Sequence, residues 1–93
     1  MEFLILATDG ADGDAPMRRL RARDAHRLIV QKLKHEGNFR VGGHTLDANE
    51  RIIGSAMILD FPSREELDRY LESEPYATQG VWKEIRVTRI NLG

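Results

Sequence analysis

IIGSAMILDF, residues 52–61, is the longest strand candidate in a chain of 93 residues. Successive side chains of a strand point to opposite faces, so Ile52, Ala56 and Ile58 form one set and Ile53, Met57 and Leu59 the other. Neither set is polar, which places this strand in a sheet covered on both sides. Pro62 stops the strand. Ser63 and Glu66 then fit the S-x-x-E capping box, which opens a helix through REELDRYLESE (64–74). Leu67, Tyr70 and Leu71 share its buried stripe, and steps of seven, four and three residues from them all land on Glu74, immediately before Pro75. A carboxylate therefore ends an apolar face.

Working outward, EFLILAT (2–8) is a short apolar strand ended by Asp9-Gly10, and DGADGDAP (9–16) is a solvated loop. Asp9, Asp12 and Asp14 lack the spacing and the distal glutamate of a calcium loop. Pro16 suits the first turn of a helix that runs on toward Gly37, a residue free to take the left-handed conformation beyond a helix end. FRVGGHT (39–45) is a glycine-interrupted strand and LDANER (46–51) a polar turn. PYATQGVW (75–82) is a loop with short helical character, and EIRVTRINL (84–92) is the last strand.

The order β-α-β-β-α-β, without repeats or linkers, predicts one α+β domain over residues 1–93 with a ferredoxin-like arrangement. Right-handed crossovers put both helices on one face of a four-stranded antiparallel sheet. Strands one and three nevertheless supply apolar residues to the other face as well, so a second copy is the expected cover, giving a homodimer through the helix-free face.

The first helix carries RLRARDAHRLIV (19–30), a histidine among charges. Ala22, His26, Ile29, Val30 and Leu33 fall on one side, with Arg19 and Arg23 bordering them and Arg18, Arg21, Asp24 and Arg27 turned mainly to water. His26 thus stands at the edge of a core-facing stripe, on the same side of the sheet as Glu74.

Composition narrows the function. The chain is 41% hydrophobic and 31% charged, as in a small globular domain, and has no cysteine, which excludes disulfides, thiol catalysis and thiolate metal sites. A net charge of −1 gives no global attraction to nucleic acid or anionic membranes, and the arginines wind around their helix without an aromatic platform. No two of the three histidines share a metal-like spacing, so neither a metal nor a cofactor is expected. No apolar run approaches a membrane span, and the acidic residue after Met1 is unlike a signal peptide, which makes a cytoplasmic location the simplest expectation.

In their order and spacing these features resemble the YCII-related (YciI-like) family: R-x-x-x-R-x-A-H at Arg19, Arg23, Ala25 and His26, Gly42-Gly43, Gly54-Ser55 in an apolar strand, and E-P-Y followed by G-V-W at Glu74 to Tyr76 and Gly80 to Trp82. The resemblance implies a dimeric α+β barrel and a pocket with a histidine–aspartate pair, the acidic partner here being the longer Glu74. It also implies, for a few members, dehydrochlorinase or isomerase activity on aromatic breakdown products.

A neutral imidazole fixed by a carboxylate has the parts of a general base. His26 with Glu74 would then abstract a proton next to a carbonyl, Arg19 or Arg23 would stabilise the resulting enolate, and Ser55, Tyr76 or the Gly42-Gly43 backbone would hold the substrate. Tyr70, Tyr76 and Trp82 suit either a pocket wall or the core. Two function classes follow: a lyase or isomerase without cofactor, and a non-catalytic ligand-binding or accessory dimer in which the His26–Glu74 bond only joins two helical surfaces.

Overall fold

The computed structural model describes residues 1–93 and contains β1 (Glu2–Asp9), α1 (Ala15–His35), β2 (Phe39–Leu46), β3 (Ile52–Asp60), α2 (Arg64–Ser73), the single turn α3 (Pro75–Thr78) and β4 (Trp82–Ile90). The strands form one antiparallel sheet in the order β2-β3-β1-β4. Each βαβ crossover skips one strand, which is the ferredoxin-like topology expected from the element order.

Register explains which face is which. Phe3 opposes Leu59, Ile5 opposes Met57 and Ala7 opposes Ser55, and all six are buried beneath the helices. The intervening pairs, Leu4 with Ile58 and Leu6 with Ala56, project to the helix-free side, where Leu6 is 40% exposed. Of the two alternating apolar sets of β3, Met57 and Leu59 lie in the core of this chain, Ile53 is exposed, and Ala56 and Ile58 lie on the open face.

The elements end where local chemistry ends them. Ser63 accepts from the Glu66 backbone N–H at 3.2 Å, capping α2. Gly37, at φ +81°, takes the left-handed conformation after α1. Pro75 disfavours helical backbone at the residue before it, and Glu74 accordingly turns extended (φ −67°, ψ 121°), ending α2 and starting α3.

The short helical character expected within 75–82 is a single turn over residues 75–78, capped by the Glu74 side chain. Two expectations need correction. β4 covers 82–90 rather than 84–92, because the strand bulges at Lys83 and Trp82 still pairs with Asp9 of β1. Arg18 is not simply turned to water: it clamps Asp12 through two hydrogen bonds of 2.6 and 2.8 Å and donates to the Gly80 carbonyl at 3.2 Å. No helix is long and apolar enough to cross a membrane.

Candidate active site

The helices cover the sheet unevenly. Over β1 they close down on Phe3, Ile5 and Ala7, whereas no residue of β2 is buried. Between α1 and the β2–β3 hairpin this leaves a cleft of about 1100 Å³.

His26 stands on its wall. The ring is pinned from three sides: Nδ1 lies 2.6 Å from Glu74 Oε1, Tyr76 stacks on it at 3.8 Å with 10° between planes, and Trp82 meets it edge-on at 6.2 Å. Nε2 has no partner within the protein and is not among the buried unpartnered atoms, so it reaches solvent at the cleft. A carboxylate against Nδ1 favours a hydrogen on that nitrogen, so that in the neutral ring Nε2 is the acceptor.

Glu74 is fully buried and accepts from three donors: His26 Nδ1–H, the Tyr70 hydroxyl at 2.5 Å and the Tyr76 backbone N–H at 3.2 Å. A buried carboxylate is costly unless it accepts hydrogen bonds, and these three, two on Oε1 and one on Oε2, take up most of its acceptor sites. Burial, the Glu74 charge and this hydrogen bond together push the Tyr70 phenol far above its ordinary range, so it stays a donor.

The second cluster lies two turns back along α1. Arg19 is only 9% exposed, donates from Nε to Asp9 Oδ2 at 3.0 Å, and from Nη2 to the Gly54 carbonyl at 2.8 Å and Ser55 Oγ at 2.7 Å. Its guanidinium also lies 4.6 Å from the centre of the Tyr76 ring. Ser55 Oγ takes a further hydrogen bond from Trp82 Nε1 at 3.1 Å, so only its own O–H remains to be offered. Burial raises Asp9 above the usual carboxylate value, with Arg19 and then Arg18 opposing the shift. The short Arg19 contact and the raised Asp9 pull in opposite directions. Desolvation wins because Asp9 Oδ1 is buried with no partner at all.

His26, Arg19, Arg23, Gly42, Gly43, Ser55 and Tyr76 all line the cleft, and Glu74 sits behind His26. No group of three His, Cys, Asp or Glu side chains gathers closely enough to hold a metal ion.

The YCII-related domain profile matches residues 1–91. The chain belongs to the YCII-related family. It is 31% identical over 93 residues to Protein YciI of Escherichia coli O6:H1 and to Protein YciI of Shigella flexneri, with 94% of this chain and 93% of each relative covered. Among solved structures it resembles 5-chloro-2-hydroxyhydroquinone dehydrochlorinase (TftG) of Burkholderia phenoliruptrix AC1100 in complex with 2,5-dihydroxybenzoquinone. That match has a TM-score of 0.87 and 28% identity, covering 100% of this chain and 96% of that one.

Against this family pattern, the Glu74 side chain spans the distance to His26 despite its extra methylene. Two neighbours escaped the sequence reading. Asp9 sits within an Asp-Gly pair that looks like a solvated turn, yet it closes β1 against Arg19. Tyr70 reads as a core residue, although its spacing of four from Glu74 was the available signal that the two side chains meet.

Proposed function

We propose that the protein is a cofactor-independent lyase or isomerase that uses His26 as general base on a small carbonyl or hydroxylated ring substrate. The observation that carries this reading is the pairing of His26 Nδ1 with a fully buried carboxylate while Nε2 opens onto a cleft of about 1100 Å³. Nε2 takes a proton from the substrate, and the released electron pair moves into the adjoining carbonyl system. For a lyase the pair then expels a leaving group, such as halide, with its electrons; for an isomerase the carbon skeleton is reprotonated elsewhere. Glu74 stabilises the imidazolium formed in between. Arg23 at the cleft wall, the unpartnered Nη1 of Arg19 and the Ser55 hydroxyl offer the donors that a developing oxyanion needs. Gly42, on the helix-facing side of β2, leaves room for a flat ligand beside Tyr76, and Gly43 adds only its backbone to the cleft wall. The named activity and ligand of the Burkholderia structural neighbour support a hydroxylated six-membered ring as the first class to test.

A second reading, a non-catalytic ligand-binding or accessory dimer, has one observation in its favour: Arg19 already spends three donors and its charge on protein partners. In either reading the chain is a cytoplasmic homodimer joined through the sheet face that carries Leu4, Leu6, Ala56 and Ile58.

Chloride release from a chlorinated hydroxyhydroquinone, followed with wild type and His26→Ala, separates the two. Catalysis predicts turnover that falls about 10²–10⁴-fold in the variant while the fold persists. Binding without turnover in the wild type, or equal turnover in both proteins, would overturn the enzymatic reading.

A further inference from the structure

Glu74 lies between two side chains that differ in what they can do. His26 faces the cleft and exchanges a proton, while Tyr70 approaches from α2, with its ring stacked on Phe61 at 5.8 Å, and only donates. Three donors share one buried negative charge, and whatever share Tyr70 holds is withheld from His26. We infer that Tyr70 is a positioning residue that tempers Glu74 and thereby sets the proton affinity of the His26–Glu74 pair, fixing the pH above which Nε2 is free to act as a base.

The direction of the effect does not depend on where the shared proton sits. If Tyr70 is replaced by phenylalanine, the carboxylate keeps its burial but loses a donor. Its undiminished charge then holds a proton on His26 more tightly, or Glu74 itself takes the proton more readily. Both routes raise the proton affinity of the pair, and a titration reads the pair rather than either residue alone. Loss of one hydrogen bond to a charged group corresponds to about a tenfold change in an equilibrium, so the midpoint moves up by about one pH unit.

Other charged or titratable groups around the pair are Arg19, Arg23 and Arg27 on α1, Asp9 at the end of β1 and the Tyr76 ring on α3. None of these side chains is hydrogen-bonded to Glu74, whose third donor is the Tyr76 backbone. Tyr70 is therefore the one side chain through which the Glu74 charge can be altered without touching His26 or the cleft wall. A carboxylate one methylene shorter would have to serve the same three donors from a different position. The longer glutamate at 74 and the tyrosine four residues before it thus act as a unit.

The inference rests on the reading of His26 as the base, yet its test needs no substrate. The His26 Cε1–H resonance, followed by NMR against pH in wild type and Tyr70→Phe, is expected to titrate about one unit higher in the variant, with His35 and His44 unmoved. An unchanged or lowered His26 midpoint overturns the inference, and a loss of thermal stability without a change in midpoint leaves Tyr70 a packing residue only. If Tyr70→Phe does not fold, 3-fluorotyrosine incorporated in a Tyr76→Phe background supplies a more acidic phenol at position 70 alone. That stronger donor should lower the midpoint relative to the unfluorinated Tyr76→Phe protein, and a rise or no change again overturns the inference. A shift without detectable turnover would sustain the role of Tyr70 and sink the enzymatic reading. Turnover without a shift would do the reverse.

Discussion

β1 and β2 are each eight residues long and lie in the same sheet, yet β1 buries three side chains on its helix-facing side and β2 buries none. The difference is written in what β2 omits. Its helix-facing positions, opposite Leu59, Met57 and Ser55 of β3, carry Phe39, Gly42 and His44. A glycine at the middle position removes the side chain that α1 would otherwise pack against, and α1 presents Arg23, Arg27, Gln31 and Lys34 to that gap. A cleft is thus specified by absent side chains on one strand and hydrophilic ones on the facing helix. The covered half supplies rigidity to His26 and Glu74; the open half supplies room.

The covered half should give the largest response to substitution. Arg19→Met removes the only cation bonded to the buried Asp9, and breaking a buried pair from one side costs about 3–5 kcal/mol at neutral pH. The sign with pH follows from Asp9. Its carboxyl is held above the usual value near 4 by burial, so ionisation of Asp9 works against the fold as pH rises. Removing the opposing attraction of Arg19 enlarges that penalty. Urea denaturation at pH 4 and pH 7 should therefore show a smaller loss for Arg19→Met at the lower pH, and an equal loss at both would mean that Arg19 acts by packing alone.

Gly42 stands on the border between the halves and should give an intermediate effect. A Cβ there would come within 2.9 Å of Met57 Cγ and Phe39 Cζ and 3.0 Å of the Ala56 carbonyl oxygen. The first two belong to flexible or terminal groups that can yield, but the carbonyl is backbone, so Gly42→Ala is expected to cost about 1–3 kcal/mol. Met57 and Phe39 also line the cleft, so the side chains that give way move into the ligand space. Weakened ligand binding together with the stability loss supports that geometry; a full stability loss with unchanged binding would show that the strain is relieved away from the cleft.

Much of this contrast was legible before the fold was seen, and for physical reasons. Alternation in IIGSAMILDF revealed both faces of β3, the S-x-x-E box started α2 where it starts, and helical spacing brought His26 and Glu74 to the edges of stripes on the same side of the sheet. The cleft residues proposed from the motifs converge in space. What escaped depends on partners distant in sequence or on pieces too short to show a period. Asp9 looks like half of a turn until Arg19, ten residues on, comes over it. A four-residue helix has no hydrophobic repeat to fix its bounds, so only short helical character could be expected within 75–82, and the hydroxyl of Tyr70 is invisible in a pattern that scores only its ring.

The smallest effect is expected one residue beyond Gly42. An added Cβ at Gly43 meets nothing within 4 Å, and its backbone is not among the positive-φ positions, which are Glu50, Gly37 and Gly80. Gly43 pairs with Ala56, whose side chain belongs to the helix-free face, and Val41 nearby is 58% exposed. In a dilute, monomeric sample Gly43→Ala should therefore change stability by no more than about 0.5 kcal/mol, as for surface substitutions generally. The same residue tests the proposed homodimer. If two copies meet across this face, their folded stability rises with protein concentration, and an extra methyl at position 43 enters a packed interface instead of water. Melting curves recorded across a hundredfold range of concentration separate the cases. A difference between Gly43→Ala and wild type that grows with concentration puts Gly43 at a contact between copies, whereas identical curves throughout leave β2 at an edge that no second copy covers.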